Sequence, residues 1–132
     1  YCLVIRINRR LRLRVGSLGD VEFLPGLYVY TGSATRGLLA RVRRHLRKQK
    51  RKHWHIDYLL ACRQAQVVGV ILVTDAEISE CEINRLVLSL ADSAVSAFGS
   101  SDCRNSCGSH LAYFASSACA RGRPVRDNSL KG

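Results

Sequence analysis

Apolar and polar positions alternate along the chain with two different periods, and the changes of period divide it into strands and helices. Residues 1–7, YCLVIRI, are rich in β-branched side chains and predict a strand. Asn8-Arg9-Arg10 makes a turn. Residues 11–15, LRLRV, then alternate apolar and charged positions strictly, which predicts a half-exposed strand paired with the first. Gly16, Gly19, Pro25 and Gly26 punctuate a loop over 16–26. Residues 27–31, LYVYT, predict a third strand, whose period of two sends Tyr28 and Tyr30 to the same side. A polar turn, Gly32-Ser33-Ala34-Thr35, leads into a helix over 37–48 with Leu38, Leu39, Val42 and Leu46 as its apolar stripe. Residues 54–63, WHIDYLLACR, predict a second short helix. VVGVILV at 67–73 predicts a buried strand, and 79–94 a helix with Ile83, Leu86, Val87 and Leu90 on one side. A polar Gly/Ser/Cys loop spans 98–110, and LAYFA at 111–115 predicts a last edge strand. From Ala120 onward a basic tail carries no apolar pattern and is expected to be mobile. The order β-β-β-α-α-β-α-β implies an α+β fold, a small mostly antiparallel sheet flanked by helices, in a single domain over 1–119 followed by the tail 120–132.

Composition narrows the function. With 132 residues, 47% of them apolar, the chain can build one core and is not of disordered composition. It has no run able to span a bilayer and no visible signal peptide, so a cytoplasmic location without a membrane partner is expected. It has no methionine, hence no initiator, and is expected to be a processed chain or a piece of a longer one. The net charge of +11 is unevenly placed. Residues 1–65 hold 15 Lys/Arg against 3 Asp/Glu, whereas residues 66–132 hold 6 against 7. One basic half beside a slightly acidic half suggests a face for a polyanion and another part able to hold a cation. Nucleic acid fits that polyanion better than an anionic membrane surface does.

Four groups of residues bear chemistry. Arg41 and His45 lie four apart on the predicted helix, so they share one side of it. A guanidinium can hold a phosphate by two hydrogen bonds, and an imidazole can exchange a proton near neutrality. The alternative is a solvated basic face. Around them run eight Lys/Arg in the twelve residues 41–52, and Arg43, Arg44, Arg47, Lys48, Lys50, Arg51 and Lys52 are candidate phosphate contacts. His53, His55 and Asp57 are either metal ligands or hydrogen-bonded members of a helix whose Trp54, Ile56, Leu59 and Leu60 are core. Glu77, Glu80 and Glu82 gather at a helix start, where carboxylates suit the dipole but can also hold a hard cation. Of six cysteines, Cys81, Cys103 and Cys107 with His110 could make a Cys₃His zinc site; reduced buried thiols or disulfides are the alternatives.

Together, LPGLYVYTGSA at 24–34, ARVRRHLRK at 40–48, HWHIDYL at 53–59, SECEI at 79–83 and FGSSDC…SHLAYF at 98–114 resemble the GIY-YIG nuclease superfamily. The likeness is to its compact Uri-like branch, long catalogued as a domain of unknown function. Tyr30-Thr31-Gly32 stands for the Tyr-Ile-Gly motif, and Tyr1 for the last residue of Gly-Ile-Tyr. The resemblance implies a divalent-metal-dependent endonuclease that hydrolyses phosphodiester bonds of DNA, with RNA also open, fused to or acting with a DNA-repair protein. Tyr1, Tyr30, Arg41 and His45 would be catalytic and Glu80 would hold Mg²⁺ or Mn²⁺, with Glu77 and Glu82 as nearby options. Asp92 stands where the superfamily often has an asparagine, and the spacing of Cys103 and Cys107 is longer than is usual in the branch. A noncatalytic nucleic-acid-binding module with a structural zinc site is the competing class; it would need the basic helix but not Glu80.

Overall fold

The computed structural model describes residues 1–34, 36–75, 77–101, 103 and 105–115. The predicted basic tail, Cys119 and Thr35 of the predicted turn lie outside them. The described elements are, in order, β1 (Cys2–Ile7), β2 (Leu11–Arg14), β3 (Asp20–Phe23), β4 (Gly26–Thr31), α1 (Leu38–Leu46), α2 (His55–Leu60), β5 (Ala65–Ile71), α3 (Glu80–Leu90), β6 (Ser93–Ala94) and β7 (Leu111–Phe114). Strands β5-β1-β4-β7-β6 form a five-stranded antiparallel sheet, and β2 and β3 form a separate ribbon. The fold is α+β, as the pattern implied.

The register explains where the core sits. Leu3 faces Tyr30, which faces Leu111; one row along, Ile5 faces Tyr28, which faces Tyr113. Leu3, Ile5, Tyr28, Tyr30 and Leu111 are all buried, and Ile56, Leu59 and Leu60 of α2 pack in the same cluster. Each fully buried aliphatic side chain contributes about 1.5–3 kcal/mol. The parity of these strands is therefore strongly fixed, and with it the side on which Tyr30 lies.

Several expectations change. The second strand does not pair with the first. Both edges of β1 are taken by β4 and β5, so β2 pairs with β3 instead. The supposed loop over 16–26 contains β3, in which Asp20 and Glu22 oppose Arg14 and Arg12 while Val21 and Phe23 turn inward. β5 is an edge strand rather than a buried one: among the described residues it pairs only with β1, and Val68, Val70 and Ile71 are exposed. Its register shifts opposite Val4/Ile5, beside Gly69, as a bulge does. The last strand is not an edge, because β6 pairs beyond it. α3 ends at Leu90, and Asp92 there accepts the Ala115 N–H at 2.6 Å. The α3 stripe also differs. Cys81 and Asn84 are buried while Leu86 and Leu90 are exposed, so the helix turns its chemically functional side inward. On α1, similarly, His45 and Val42 are buried whereas Leu39 and Leu46 are exposed.

Candidate functional site

β1 and β4 lie side by side, and their ends bring Tyr1 and Tyr30 together with ring centroids 6.4 Å apart. After β4 the chain passes through Gly32 and Ser33 and into α1. A Cβ on Gly32 would sit 2.6 Å from Tyr1 Oη and 2.7 Å from its Cζ, so only glycine lets the phenol lie across this turn. Gly32→Ala is expected to push the phenol off its seat and cost about 1–3 kcal/mol in urea unfolding. The penalty should vanish in a Tyr1→Ala background; an equal penalty there would mean that the phenol is not what Gly32 accommodates.

Tyr1 Oη is 2.7 Å from His45 Nε2. His45 is 2% exposed, and burial, aided by the charges of Lys50, Arg44 and Arg41, pushes its pKa down to about 4. Burial pushes Tyr1 up to about 12 against the pull of Arg41, and raises Tyr30 further. The pair is neutral at pH 7, and Arg41 alone does not turn either phenol into a phenolate. His45 sits behind Tyr1; it is not part of the cleft lining.

That cleft has a volume of about 440 Å³, and Tyr1, Tyr30, Arg41, Glu80 and His110 are among the side chains on its wall. Arg41 donates from Nη1 to Ser33 O at 3.1 Å and lies over the Trp54 ring at 4.5 Å. Glu80 is the first residue of α3, held there by a capping box in which Ser79 Oγ accepts the Glu82 N–H and Glu82 accepts the Ser79 N–H. Glu82 is thus occupied in the cap. Glu77 is exposed before the helix, with its N–H on Asp75. Of the three glutamates, Glu80 is the one on the cleft wall. Burial works to raise its pKa, but hydrogen bonds from His110 and Ser33 more than offset this and hold the carboxyl below its ordinary range.

The acid in HWHIDY has a different task. Asp57 is fully buried and accepts from both Arg44 guanidinium nitrogens, at 2.9 and 3.0 Å, and from the His53 and Trp54 N–H groups, capping α2. His55 accepts the Gly99 N–H at 2.9 Å. Three of the predicted phosphate contacts are likewise engaged within the fold. Arg44 is held by Asp57, Lys48 donates to the Leu60, Cys62 and Ala65 carbonyls, and Lys50 to those of His45 and Arg47. Arg43, Arg47, Arg51 and Lys52 are exposed, as is Arg36.

Beside Glu80, the next helix residue, Cys81, meets Cys103, Cys107 and His110. One ligand atom from each lies within 4.8 Å of the others, and the Cys81 and Cys103 sulfurs are 3.6 Å apart. His110 Nδ1 is 2.8 Å from Glu80 Oε2 and 3.2 Å from Thr31 O, whereas its buried Nε2 has no hydrogen-bond partner among the described residues. Three thiols, one imidazole nitrogen left free, and the opposite nitrogen backed by a carboxylate are a donor set that fits a structural zinc. The cleft fits a hard cation differently, offering one carboxylate and room for water and phosphate oxygens. The sequence pattern gives no prominence to Asn84, one turn after Glu80, whose Nδ2 donates to Ser109 O at 2.7 Å and braces the His110 loop. Its i+4 spacing from Glu80 is the signal that could have found it. Asp92, by contrast, binds Ala115 and is not among the residues of the cleft wall.

A family model described as a domain of unknown function, DUF123, matches residues 1–126. No curated protein and no solved structure matches the chain. Among the described residues no helix is long and apolar enough to cross a membrane.

Proposed function

Since this chain belongs to the DUF123 family, whose model spans both the cleft and the cysteine cluster, we propose that the two serve one activity, a divalent-metal-dependent endonuclease hydrolysing DNA phosphodiester bonds. One observation carries the reading: Tyr1, Tyr30, Arg41 and Glu80, drawn from separate regions of the chain, meet on the wall of a single cleft. Glu80 would hold Mg²⁺ or Mn²⁺. Bound there, the ion would supply Lewis-acid stabilisation of the phosphate oxygens. Arg41, already steadied by Ser33 and Trp54, would turn its remaining N–H groups to the phosphate and stabilise charge that grows in the transition state. Tyr1 would take a proton from the attacking water as its own moves to His45 Nε2, 2.7 Å behind it. Tyr30 would orient the water. The exposed Arg43, Arg47, Arg51 and Lys52 would grip the flanking backbone without reading bases.

The noncatalytic nucleic-acid-binding reading uses the same cations and cysteine cluster but gives Tyr1 and Glu80 no task. Supercoiled plasmid distinguishes the two. Wild-type protein should nick it in Mg²⁺ or Mn²⁺, and EDTA should stop cleavage while binding persists. Binding without nicking in either metal, across duplex, branched, abasic and single-stranded substrates, would favour the noncatalytic module.

A further inference from the structure

The cysteine cluster borders the cleft, whose wall includes Cys81, Cys103 and His110, and of these it is His110 that is hydrogen-bonded to Glu80. His110 is 1% exposed and divides its two ring nitrogens between cluster and cleft. Nδ1 faces Glu80 Oε2 and the Thr31 carbonyl, which leaves Nε2, buried and without a hydrogen-bond partner among the described residues, for the sulfurs. The backbone on either side is clamped. His110 N donates to Phe98 O at 2.8 Å, its carbonyl accepts the Thr31 N–H at 3.0 Å, and Asn84 holds the carbonyl of Ser109. What remains adjustable is the rotation of the ring.

We propose that His110 is a positioning residue that couples metal occupancy of the cysteine cluster to the geometry of Glu80. A zinc ion on Cys81, Cys103 and Cys107 would take His110 Nε2 as its fourth ligand. An imidazole ligated through Nε2 keeps its proton on Nδ1, so toward the cleft it can only donate. It then holds Oε2 of Glu80 and leaves the other carboxylate oxygen for the cleft. Cys81 and Glu80 are consecutive at the start of α3, so zinc fixes Glu80 twice, through the main chain and through His110. With the cluster empty, no metal bond holds the ring, and the partner that fixes Glu80 is free to turn. The cleft's affinity for its own cation therefore depends on zinc bound at its wall. The inference rests on the endonuclease reading in one respect, that Glu80 holds the cleft cation.

Two measurements test it. In zinc-loaded protein with ¹⁵N-labelled histidine, NMR should show His110 Nε2 with a metal-bound shift and a slowly exchanging Nδ1–H signal that moves on Glu80→Gln. This arm needs no change to the cluster. In a Cys107→Ser variant, which alters the cluster at its one cysteine not on the cleft wall, zinc content should fall, and Mn²⁺ binding to the cleft, followed by electron paramagnetic resonance without DNA, should weaken about tenfold or more. Circular dichroism would certify that this variant is folded. An Nδ1–H signal indifferent to Glu80→Gln, ligation through Nδ1, absence of zinc from the wild type, or equal Mn²⁺ binding by folded proteins with and without zinc would overturn the coupling. So would a wild type that binds no Mn²⁺. If both measurements succeed while no substrate is cut, the coupling stands and the endonuclease reading fails.

Discussion

Replacing Glu80 by alanine is expected to lower the rate of plasmid nicking in Mg²⁺ roughly a thousandfold, since a well-placed cation contributes several kcal/mol of transition-state stabilisation. DNA affinity should stay the same or rise slightly, because the cleft loses a negative charge facing a polyanion. The fold should survive. Glu80 is half-buried at a helix start whose cap is made by Ser79 and Glu82, and His110 Nδ1 retains the Thr31 carbonyl. Zinc content and unfolding midpoint should be measured on the same sample, because Cys81 adjoins the substitution. Wild-type nicking by the variant would remove Glu80 as the metal holder. Parallel loss of binding and cleavage would make it a structural residue instead. Glu82→Ala is the matched control: it breaks the capping box, costs about 1 kcal/mol of stability, and should leave nicking nearly intact.

What can be read from the sequence depends on whether the signal is local. The β1 and β4 strands announce themselves through β-branched and aromatic residues, and the period of two alone puts Tyr30 on the same face as Tyr28. The spacing of Arg41 and His45 puts them on one side of a helix, but it cannot tell that His45 turns into the core while Arg41 reaches the cleft wall. The β3 strand is hidden because glycines and a proline bracket only four residues, whose Val/Phe alternation is too short to stand out. The pairing of β2 is unreadable for another reason. A strand's partner is set by which edges are already filled, and β1 loses its second edge to β5, far later in the chain. The basic run shows the same limit. A lysine in a charged stretch looks solvated, yet Lys48 binds three carbonyls around the end of α2, and nothing near it in sequence marks them. The cysteine cluster lies between these cases: the spacing of Cys103, Cys107 and His110 suggests ligands, and only the fold brings Cys81 beside them.

The most consequential of these long-range contacts is Arg44 with Asp57, and removing Arg44 is expected to cost more stability than any other surface-accessible change in α1. Asp57 is fully buried, and the guanidinium supplies both of its carboxylate oxygens with a donor while backbone N–H groups reach Oδ2. Arg44→Met keeps the aliphatic stem but leaves a buried anion with its Oδ1 stripped of that bond, at a cost of about 3–5 kcal/mol. Arg44 also lies over Trp54 at 4.5 Å, so indole fluorescence should change with the substitution and reports on the site directly. The pH dependence gives the mechanism a signature. Burial acts to raise the Asp57 pKa, and its hydrogen bonds from Arg44, Trp54 and His53 overcome this and depress it below the ordinary carboxylate value of 3.8. A depressed folded-state pKa stabilises the fold above the unfolded value, and that stability is lost as pH falls through the folded one. The wild type therefore loses this contribution below about pH 4, where the unfolded-state carboxyl begins to bind protons. In Arg44→Met the carboxyl protonates more readily, and the neutral acid relieves the buried charge. The two proteins' urea midpoints should lie far apart at pH 7 and converge in acid. A gap that stays constant from pH 7 to pH 3 would show that packing of the Arg44 stem, not its charge on Asp57, is what α1 loses.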